Sequence, residues 1–317
     1  MLGERYKSDG KPILKLSERQ LAARTRFLDE CDSMISHYQF EKFACECGAT
    51  EDAFEVLSEK DRYGLKVRTV MCRKCGLMMT NPRMTQESYD YFYDMEYGSL
   101  YRDQDVIPEE YFRNKIMIGK EIYDFVEKYS GIKVQDVLEI GCAAGGILQY
   151  FKNQGCNVTG VDLGSDYIEF GKSKGLNLIN CHSQELVKSG KKFDLIILNH
   201  VFEHFLNIEK ELDTIRQLLT DEGMLYIAVP GVKALVETYN NDFMLFLQNA
   251  HVYHFTLRTL EQVANKYGFG LHVGTEEIQA LFKYTGEHKE FSRNYYLENM
   301  KFLYELEYAL QKRRGLI

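Results

Sequence analysis

The stretch VLEIGCAAGGIL, residues 137–148, decides the fold of this chain. A short apolar run is followed by a turn rich in glycine and alanine, and the next residues, ILQYFKNQG, have the pattern of a helix. Glycine in such a turn permits unusual backbone angles, and the start of the helix offers unpaired N–H groups. The turn therefore suits a phosphate, a sulfonium nucleoside, or close packing of a helix on a sheet.

Short apolar runs alternate with helical segments downstream of residue 134, and a further helix is expected within residues 256–269. The predicted strands are Asp136–Ile140, Asn157–Asp162, Leu176–Asn180, Phe193–Leu198, Gly223–Val229, Gly270–Gly274 and Ile278–Tyr284. Alternating strands and helices with apolar strand runs indicate a parallel sheet covered on both faces. The fold class is thus α/β, with a Rossmann-like, seven-stranded, mostly parallel sheet.

Composition narrows the class of protein. The chain has 317 residues, 45% of them hydrophobic and 27% charged, and it lacks the run of about 18 apolar residues that a membrane span needs. Its first residues show no apolar secretory signal, so its eight cysteines are expected to be thiols or metal ligands in a reducing cytoplasm. The net charge is −8 with scattered Lys and Arg, which disfavours an extended nucleic-acid surface.

Changes in composition predict the domain organisation. Spaced apolar positions among charges suggest helices at the start of the chain, cysteines mark the next segment, and tyrosines the one after it. The predicted parts are N-terminal helices (1–40), a zinc-ribbon-like module (41–83), a Tyr-rich helical connector or cap (84–130), the main α/β domain (131–286) with an acceptor-site insertion (231–256), and a C-terminal helix (287–317). That last helix suits covering the sheet or pairing two subunits.

Two acids distinguish among the ligands that the turn could hold. Asp162 ends the second strand, 23 residues after Glu139, where a carboxylate accepts both hydroxyls of a ribose. Glu139 itself lies inside the first strand, where dinucleotide-binding folds usually place an apolar residue. A carboxylate at that point suits a cationic cofactor that carries an amino acid.

Four motifs, VLEIGCAAGG, VTGVD, FDLIILNHVFEH and GMLYIAVPG, resemble in order and spacing those of the class I S-adenosylmethionine-dependent methyltransferases. The resemblance covers roughly residues 110–285 and implies S-adenosylmethionine as cofactor. It assigns the amino-acid end of the cofactor to the glycine turn, the ribose to Asp162, the adenine to Leu163 and the edge of the pocket to the residues after the third and fourth strands. The implied cofactor-binding residues are Tyr97, Tyr101, Glu139, Gly141, Cys142, Ala143, Gly145, Asp162, Leu163, His182, Ser183, Gln184 and Asn199.

The chain departs from the family pattern at two positions. Ala143 replaces a frequent glycine, and His182 stands where many members have an aspartate that accepts from the adenine amino group. Backbone groups or Gln184 are the substitutes for that missing acid.

Cysteines form a second constellation. Cys45 and Cys47 lie in FACECG, and Cys72 and Cys75 lie in VMCRKCG. Two such pairs, each followed by glycine, bring four thiolates to a structural tetrahedral Zn²⁺, although the first pair is C-x-C rather than C-x-x-C. Four unligated thiols, or a metal held by three of them, are the alternatives.

The segment that begins at Asp61 and includes CGL, Asn-Pro-Arg and a Tyr-rich stretch resembles the N-terminal region of bacterial methyltransferases for surface-glycan and deoxysugar synthesis. In that family the aromatic stretch reaches over the cofactor. Tyr93, Tyr97 and Tyr101 recur every four residues and share a face if the segment is helical. Packing of a small domain is an equally good explanation for them.

Histidines are the candidate bases, since imidazole titrates near neutral pH. His200 follows the fourth strand, while His251 and His254 lie in AHVYHFT at the end of the insertion where this family builds its acceptor pocket. We favour His251, with His254 second. Each histidine could instead be a core or capping residue, and a catalytic metal held by the two His pairs is a further alternative.

These observations predict an O-methyltransferase acting on a small sugar-like acceptor that is nucleotide-linked or part of a surface glycan. A sugar C-methyltransferase is a near alternative. A zinc-ribbon RNA methyltransferase or other macromolecule-binding protein is the alternative from another class, which the locally basic ribbon favours and the overall charge opposes.

Overall fold

The structure is a computed structural model that describes residues 1–102 and 109–316. Residues 103–108 of the predicted connector and residue 317 of the predicted C-terminal segment lie outside the described residues. The helices are α1 (Glu18–Cys31), α2 (Gln86–Phe92), α3 (Glu109–Tyr129), α4 (Gly146–Asn153), α5 (Ser165–Ser173), α6 (Ser183–Val187), α7 (Ile208–Leu218), α8 (Leu235–Thr238), α9 (Phe243–Phe246), α10 (Leu257–Lys266) and α11 (Tyr296–Arg313), with a π-helix at Tyr93–Arg102. The strands are β1 (Phe40–Glu41), β2 (Phe54–Ser58), β3 (Thr69–Cys72), β4 (Met78–Thr80), β5 (Arg83–Met84), β6 (Asp136–Ile140), β7 (Asn157–Asp162), β8 (Leu178–Asn180), β9 (Phe193–Asn199), β10 (Leu219–Ala228), β11 (Tyr253–His254), β12 (Phe269–Gly274) and β13 (Gln279–Tyr284).

The chain divides into two compact units. Unit 1 comprises residues 1–105, 231–260 and 291–317, and unit 2 comprises residues 106–230 and 261–290. Both units are therefore assembled from segments that are distant in sequence.

Unit 2 contains a seven-stranded sheet with the order β12-β13-β10-β9-β6-β7-β8. Neighbours from β10 to β8 pair in parallel, and β13 runs antiparallel to both β10 and β12. The predicted α/β, mostly parallel sheet is confirmed. Because β6, β7 and β9 are parallel, their carboxyl ends meet at one edge, where open α/β sheets bind ligands.

The core of unit 2 explains why this sheet is stable. The strands at its centre are short apolar runs, and β9 is buried along most of its length. Residues from α3, α4 and α5, including Ile122, Phe151 and Ile168, pack in one cluster with strand residues such as Val137 and Ile197. Burying side chains of this size contributes about 1.5–3 kcal/mol each.

Strand β10 differs from its prediction. It begins at Leu219 rather than at Gly223, and its pairing with β9 shifts register between Leu219 and Met224. The intervening Thr-Asp-Glu-Gly sequence is typical of a turn, so local pattern alone excludes it from a strand. Pairing with the neighbouring strand prevails over that local preference.

Unit 1 contains a four-stranded sheet with the order β11-β4-β3-β2 and a separate two-stranded sheet, β1-β5. Strand β11 comes from the predicted insertion and pairs antiparallel with β4, with His254 opposite Met78. The strand that carries His254 is thus part of the same sheet as the segment between the cysteine pairs.

Candidate functional site

The glycine turn between β6 and α4 is held in left-handed backbone conformations. Gly141 and Gly145 each have φ of +73°, and Ala143 has φ of +46°. The N–H groups of Gly141 and Cys142 donate to the carbonyl oxygen of Val161 at 2.8 and 3.1 Å. A left-handed alanine costs about 1 kcal/mol, so the turn keeps its shape at Ala143 against a local preference.

Glu139 presents a buried carboxylate beside this turn. Its side chain is 3% exposed, and Oε2 has no hydrogen-bond partner within residues 1–102 and 109–316. Burial raises the pKa of Glu139 well above its usual value, while Lys115 opposes that shift and Asp162 adds to it. A buried, unsatisfied carboxylate oxygen is costly in a free protein. A cationic ligand group placed there would offset this cost.

Asp162 ends β7 and ties two loops together. Its Oδ2 accepts from the N–H of Ala143 at 2.8 Å, and its Oδ1 accepts from the N–H of Gly164 at 2.7 Å. An ionised carboxylate has about four acceptor sites, so each oxygen keeps capacity for a further donor such as a ribose hydroxyl. The backbone contacts fix the orientation of the carboxylate in advance.

Helix α4 begins directly after the turn and lies very close to α3. A Cβ at Gly146 would lie 2.5 Å from Cβ of Lys115, and a Cβ at Gly119 would lie 2.7 Å from the carbonyl oxygen of Ile147. Neither glycine could carry a side chain without a shift of the two helices. These contacts set where the N-terminal N–H groups of α4 point.

The predicted adenine region also lies in unit 2. Leu163 follows Asp162 directly and is 59% exposed, which is unusual for a large apolar side chain next to a buried strand. Ser183 and Gln184 open α6 and donate to Glu211, at 3.5 Å from Oγ and 2.7 Å from Nε2. The amide nitrogen of Gln184 is therefore engaged by a carboxylate in this structure.

Two further predicted residues flank that region. His182 precedes α6, and its backbone N–H donates to Glu185 at 3.2 Å. Asn199 is the last residue of β9 and is half-buried. Asn199 lies at the same sheet edge as Glu139 and Asp162, because the three strands are adjacent and parallel.

The predicted tyrosines belong to unit 1. Residues 93–102 form a π-helix rather than an α-helix, and the rings of Tyr93, Tyr97 and Tyr101 form a ladder with centroid distances of 4.8 and 4.9 Å. Tyr101 also packs on Tyr63 with centroids 5.1 Å apart. Packing within unit 1 thus explains the position of Tyr101, at one end of this row of rings.

The four predicted metal ligands come together in unit 1. The Sγ atoms of Cys45, Cys47, Cys72 and Cys75 all lie within 4.8 Å of one another, and the Cys45–Cys75 and Cys47–Cys72 pairs are 3.5 and 3.6 Å apart. Zn–S bonds of about 2.3 Å in a tetrahedron separate the sulfurs by about 3.8 Å. The donor set and its spacing therefore fit zinc, and the distances exclude disulfide bonds.

Local geometry supports both cysteine knuckles. Gly48 and Gly76 have φ of +80° and +83°, which suits glycine after each pair. The backbone N–H of Lys74 donates to Sγ of Cys72 at 3.4 Å. Hydrogen bonding among the thiols, first that between Cys45 and Cys47, raises the pKa of Cys45 and lowers that of Cys47. In the metal-free cluster the thiols thus differ in acidity, whereas a bound Zn²⁺ would hold all four as thiolates.

The three candidate bases differ in their surroundings. His251 is 4% exposed and lies in unit 1, where Nε2 of its ring is hydrogen-bonded to Nε2 of Gln248. His254 is fully buried in the same unit, and burial lowers its pKa to about 3. His200 belongs to unit 2, has a φ of +57°, and places Nδ1 3.5 Å from Oε1 of Glu203.

His254 is enclosed by its neighbours. Its ring centroid lies 5.4 Å from that of Phe246 and 6.0 Å from that of His251. Neither ring nitrogen has a hydrogen-bond partner in the part of the chain that the structure describes, and both nitrogens are buried. The ring is therefore neutral near pH 7 and packs as part of the core.

Sequence reasoning missed two residues that contact the His251 environment. Arg62 donates to Oε1 of Gln248 at 2.7 Å, and Gln248 in turn contacts His251. The chain separates Arg62 from Gln248 by 186 positions, so no local pattern connects them. The only local signal is the spacing of Gln248 three residues before His251.

No described helix combines the length and the apolar character that crossing a bilayer requires.

Comparison with known proteins places unit 2 in a family. A family described as "Methyltransferase domain" matches residues 111–272. Two ubiquinone biosynthesis O-methyltransferases, from Glaesserella parasuis and Rickettsia canadensis, are 29% and 28% identical over 115 and 120 residues, covering 32% and 36% of this chain and 48% and 51% of the relatives. The chain thus spans about half the length of the curated relatives that it matches.

Solved structures are similar at a lower level. A SAM-dependent methyltransferase from Archaeoglobus fulgidus has a TM-score of 0.41 and 23% identity, with 49% of this chain and 69% of that chain covered. A plantazolicin methyltransferase in complex with a triazolic desmethylPZN analog and SAH has a TM-score of 0.42 and 22% identity, with 74% and 85% covered. The family match itself extends over just over half of the 317 residues. With the glycine turn, Glu139 and Asp162 at one sheet edge, the chain belongs to the methyltransferase-domain family.

Proposed function

We propose that the protein transfers a methyl group from S-adenosylmethionine to a hydroxyl group of a small, sugar-like acceptor. The observation that carries this proposal is the buried carboxylate of Glu139 beside the glycine turn. The amino group of S-adenosylmethionine is a cation of the kind that such a carboxylate lacks in the free protein. Phosphate, in contrast, would be repelled by Glu139.

The chain's own residues would hold the cofactor as follows. The left-handed backbone at Gly141 and Gly145 would shape the turn beside its amino-acid end, and Asp162 offers both carboxylate oxygens to the ribose hydroxyls. The exposed Leu163 side chain provides an apolar surface for the adenine. When bound, S-adenosylmethionine supplies its methyl group from a sulfonium, so the C–O bond forms as the C–S bond breaks and a neutral thioether leaves without an acid.

We assign the general base to His251. Its task is to accept the proton of the acceptor hydroxyl as the oxygen becomes methylated, which leaves an imidazolium and a neutral ether. Both ring nitrogens of His254 are buried, so an acceptor has no access to them. His200 is 54% exposed, so solvent competes for its proton and desolvation does not favour it.

Two features support the acceptor class. The relatives in Glaesserella parasuis and Rickettsia canadensis are named as O-methyltransferases, which supports a hydroxyl as the methylated group. The cysteine-rich segment and the Tyr-rich stretch resemble the N-terminal region of methyltransferases for surface glycans, which supports a sugar.

We also propose that the four-cysteine cluster holds a structural Zn²⁺. Four thiolates fill a tetrahedral coordination sphere, so the metal has no open position for substrate. Cys72 ends β3 and Cys75 lies between β3 and β4, and β4 pairs with β11 next to His251. The metal would therefore stabilise the sheet whose strand β11 begins two residues after the proposed base.

The decisive experiment separates cofactor binding from acceptor choice. Calorimetry with S-adenosylmethionine and S-adenosylhomocysteine tests unit 2, and we expect one site per chain. Incubation with labelled S-adenosylmethionine and a panel of nucleotide sugars, glycans, quinol precursors and RNA then tests the acceptor. The O-methyl product is supported if the labelled methyl group is found on a sugar oxygen and not on a sugar carbon, and if it remains attached in mild acid.

Two results contradict the proposal. Absence of S-adenosylmethionine binding by the zinc-replete protein refutes the cofactor assignment. Labelling of RNA or of a quinol precursor in preference to every sugar refutes the acceptor class while leaving the cofactor assignment intact.

A further inference from the structure

The loop that carries His251 is anchored to the segment that follows β2. The backbone N–H of Arg62 donates to the carbonyl oxygen of Leu247 at 3.1 Å. The backbone N–H of Asn249 donates to Oδ2 of the fully buried Asp61 at 3.1 Å. These two contacts fix the backbone immediately before and immediately after Gln248.

His251 is fastened on its other side. Its carbonyl oxygen accepts from Oγ1 of Thr80 at 2.7 Å, and the N–H of Thr80 donates to the carbonyl oxygen of Val252 at 2.9 Å. Gln248 and His251 are thus held on a backbone with little freedom to rearrange. The contact between their side chains therefore depends on the fixed positions of their main chains.

Arg62 determines which end of the Gln248 amide faces the histidine. Nη2 of Arg62 donates to Oε1 of Gln248 at 2.7 Å, and Nη1 donates to the carbonyl oxygen of Leu245 at 3.1 Å. A guanidinium has only donors, so it must face the amide oxygen and never the amide nitrogen. The NH₂ group of Gln248 is therefore directed at Nε2 of His251.

The tautomer of His251 follows from this orientation. An amide NH₂ group only donates, so Nε2 of His251 must offer its lone pair, and the ring proton must reside on Nδ1. A ring with a proton on Nε2 would place two donors against each other. The chain from Arg62 through Gln248 thus specifies one of the two neutral forms of the ring.

We infer that Arg62 and Gln248 are positioning residues that hold His251 in the Nδ1–H tautomer, with the N–H of Gln248 occupying the place of the acceptor hydroxyl. This inference rests on the proposed function, in which His251 is the base. An incoming O–H donates to Nε2 in the same sense as the amide N–H that it replaces. The lone pair that must accept the proton is therefore already directed at the right place.

The same chain constrains the step after transfer. While Nε2 carries the proton taken from the acceptor, the NH₂ group of Gln248 cannot pair with it, because both groups are donors. The proton must leave for solvent before the Gln248 contact forms again. Gln248 thereby returns the ring to the same neutral form at each turnover.

The test is the tautomer of His251, read without any methyl transfer. We would label the histidines of the full chain with ¹⁵N, record long-range ¹H–¹⁵N correlations, and assign His251 from the spectrum that His251→Gln lacks. The unmodified protein should show the Nδ1–H pattern. Gln248→Glu should show a proton on Nε2, because a carboxylate only accepts.

Variants at Arg62 test the origin of the orientation. Arg62→Met removes the donor and frees the amide to turn, so a mixture of both tautomers is expected. Arg62→Lys keeps a donor and should restore the Nδ1–H form. Gln86→Glu, an exposed glutamine in the same unit, is the matched control and should leave the His251 signals unchanged.

Kinetics provide a second readout once an acceptor is known. Gln248→Glu should lower kcat on the order of 10²-fold, the lower range of what a general base contributes, with the affinity for S-adenosylmethionine unchanged. Circular dichroism of each variant verifies that it has folded.

The outcomes separate this inference from the proposed function. An Nε2–H tautomer in the unmodified protein, or a tautomer that Gln248→Glu leaves unchanged, overturns the positioning chain even if methyl transfer is found. Tautomers that shift as expected in a protein that methylates no hydroxyl support the positioning chain and overturn the assigned base.

Discussion

At the scale of single residues, Glu139 carries a cost in the free protein that its proposed cationic ligand would offset. Its buried carboxylate has a raised pKa and an oxygen without a hydrogen-bond partner among the described residues. Charge-assisted hydrogen bonds contribute about 1.5–3 kcal/mol each, and an unsatisfied buried group costs a similar amount. The buried carboxyl group of Glu139 thus lowers the stability of the free protein, and a bound cation would offset this cost.

We therefore expect Glu139→Gln to stabilise the free protein while it weakens cofactor binding. Replacing the buried acid with an amide that cannot ionise should raise the free energy of unfolding by about 1 kcal/mol, and the lost cation contact should lower the affinity for S-adenosylmethionine about 10- to 100-fold. Thermal unfolding and calorimetry measure the two effects. Glu169→Gln, an exposed acid on α5, is the control and should change neither. Loss of both stability and affinity in Glu139→Gln would contradict the assigned role.

Stability should also depend on pH through Glu139. The pKa of Glu139 is raised in the folded protein, whereas it is about 4.3 in the unfolded chain. Between these two pKa values the folded protein keeps the proton of the carboxyl group and the unfolded chain has lost it. Unfolding is therefore increasingly favoured as the pH rises from that unfolded value to the folded pKa, and the effect is constant above it. The difference in Tm between Glu139→Gln and the unmodified protein should widen over this interval. Parallel Tm curves from pH 4 to 8 would refute the raised pKa.

The sequence predicts the two acids of this site but not the residues behind the histidine. Glu139 and Asp162 lie at fixed offsets from a glycine turn, and strand geometry brings them to one edge. Arg62 and Gln248 lie far apart in sequence and meet only because unit 1 folds them together. A role that depends on one side chain orienting another leaves no local pattern.

At the scale of elements, the close approach of α3 and α4 determines the direction of the N–H groups at the start of α4. Gly119 and Gly146 are the points of nearest contact. Glycine inside a helix costs about 1 kcal/mol relative to alanine, so Gly119, in the middle of α3, lowers local helix stability in exchange for this close approach.

Gly119→Ala should consequently destabilise the protein despite the higher helix propensity of alanine. The added Cβ would lie 2.7 Å from the carbonyl oxygen of Ile147, and overpacking of this kind costs about 1–3 kcal/mol. Gly98→Ala is the control, because nothing lies within 4 Å of its Cβ position. Chemical denaturation measures the free energy of unfolding of both variants. Equal values would show that α3 can shift to accept the added Cβ without loss of stability.

Elements differ in how well the sequence predicts them. Strands β6 and β7 have the predicted bounds because each is a short segment with β-branched residues that is buried along most of its length. The tyrosine ladder has the predicted spacing, yet its segment is a π-helix, whose wider turn brings residues four apart into contact. Hydrophobic period identifies a helical face but does not distinguish the type of helix.

At the scale of the whole molecule, the cysteine cluster lies in a unit that three separate segments build. The spacing of the cysteines predicts that four thiols meet, and they do meet. The sequence does not reveal that Tyr295 covers the second knuckle, where a Cβ on Gly76 would lie 2.6 Å from its carbonyl carbon. That contact joins residues more than 200 positions apart, beyond the reach of any motif.

Removal of the proposed metal should therefore impair turnover before it impairs cofactor binding. We expect one zinc per chain by elemental analysis, and Cys45→Ser to lose both the metal and activity while S-adenosylmethionine binding in unit 2 persists. Cys31→Ser is the control, because Cys31 lies in unit 1 but outside the cluster. Full zinc content in Cys45→Ser would contradict the four-ligand site.

The contact between Gly76 and Tyr295 has a consequence for synthesis on the ribosome. The second cysteine knuckle is translated more than 200 residues before Tyr295 and Asn299, whose backbone and side chain bond to Cys75 and Gly76 at 3.2 and 3.1 Å. During that interval the second knuckle lacks these two contacts, and thiols without a metal are open to oxidation. Metal loaded early would protect them, so a cell starved of zinc during translation should accumulate chains with oxidised cysteines that later supplementation does not restore.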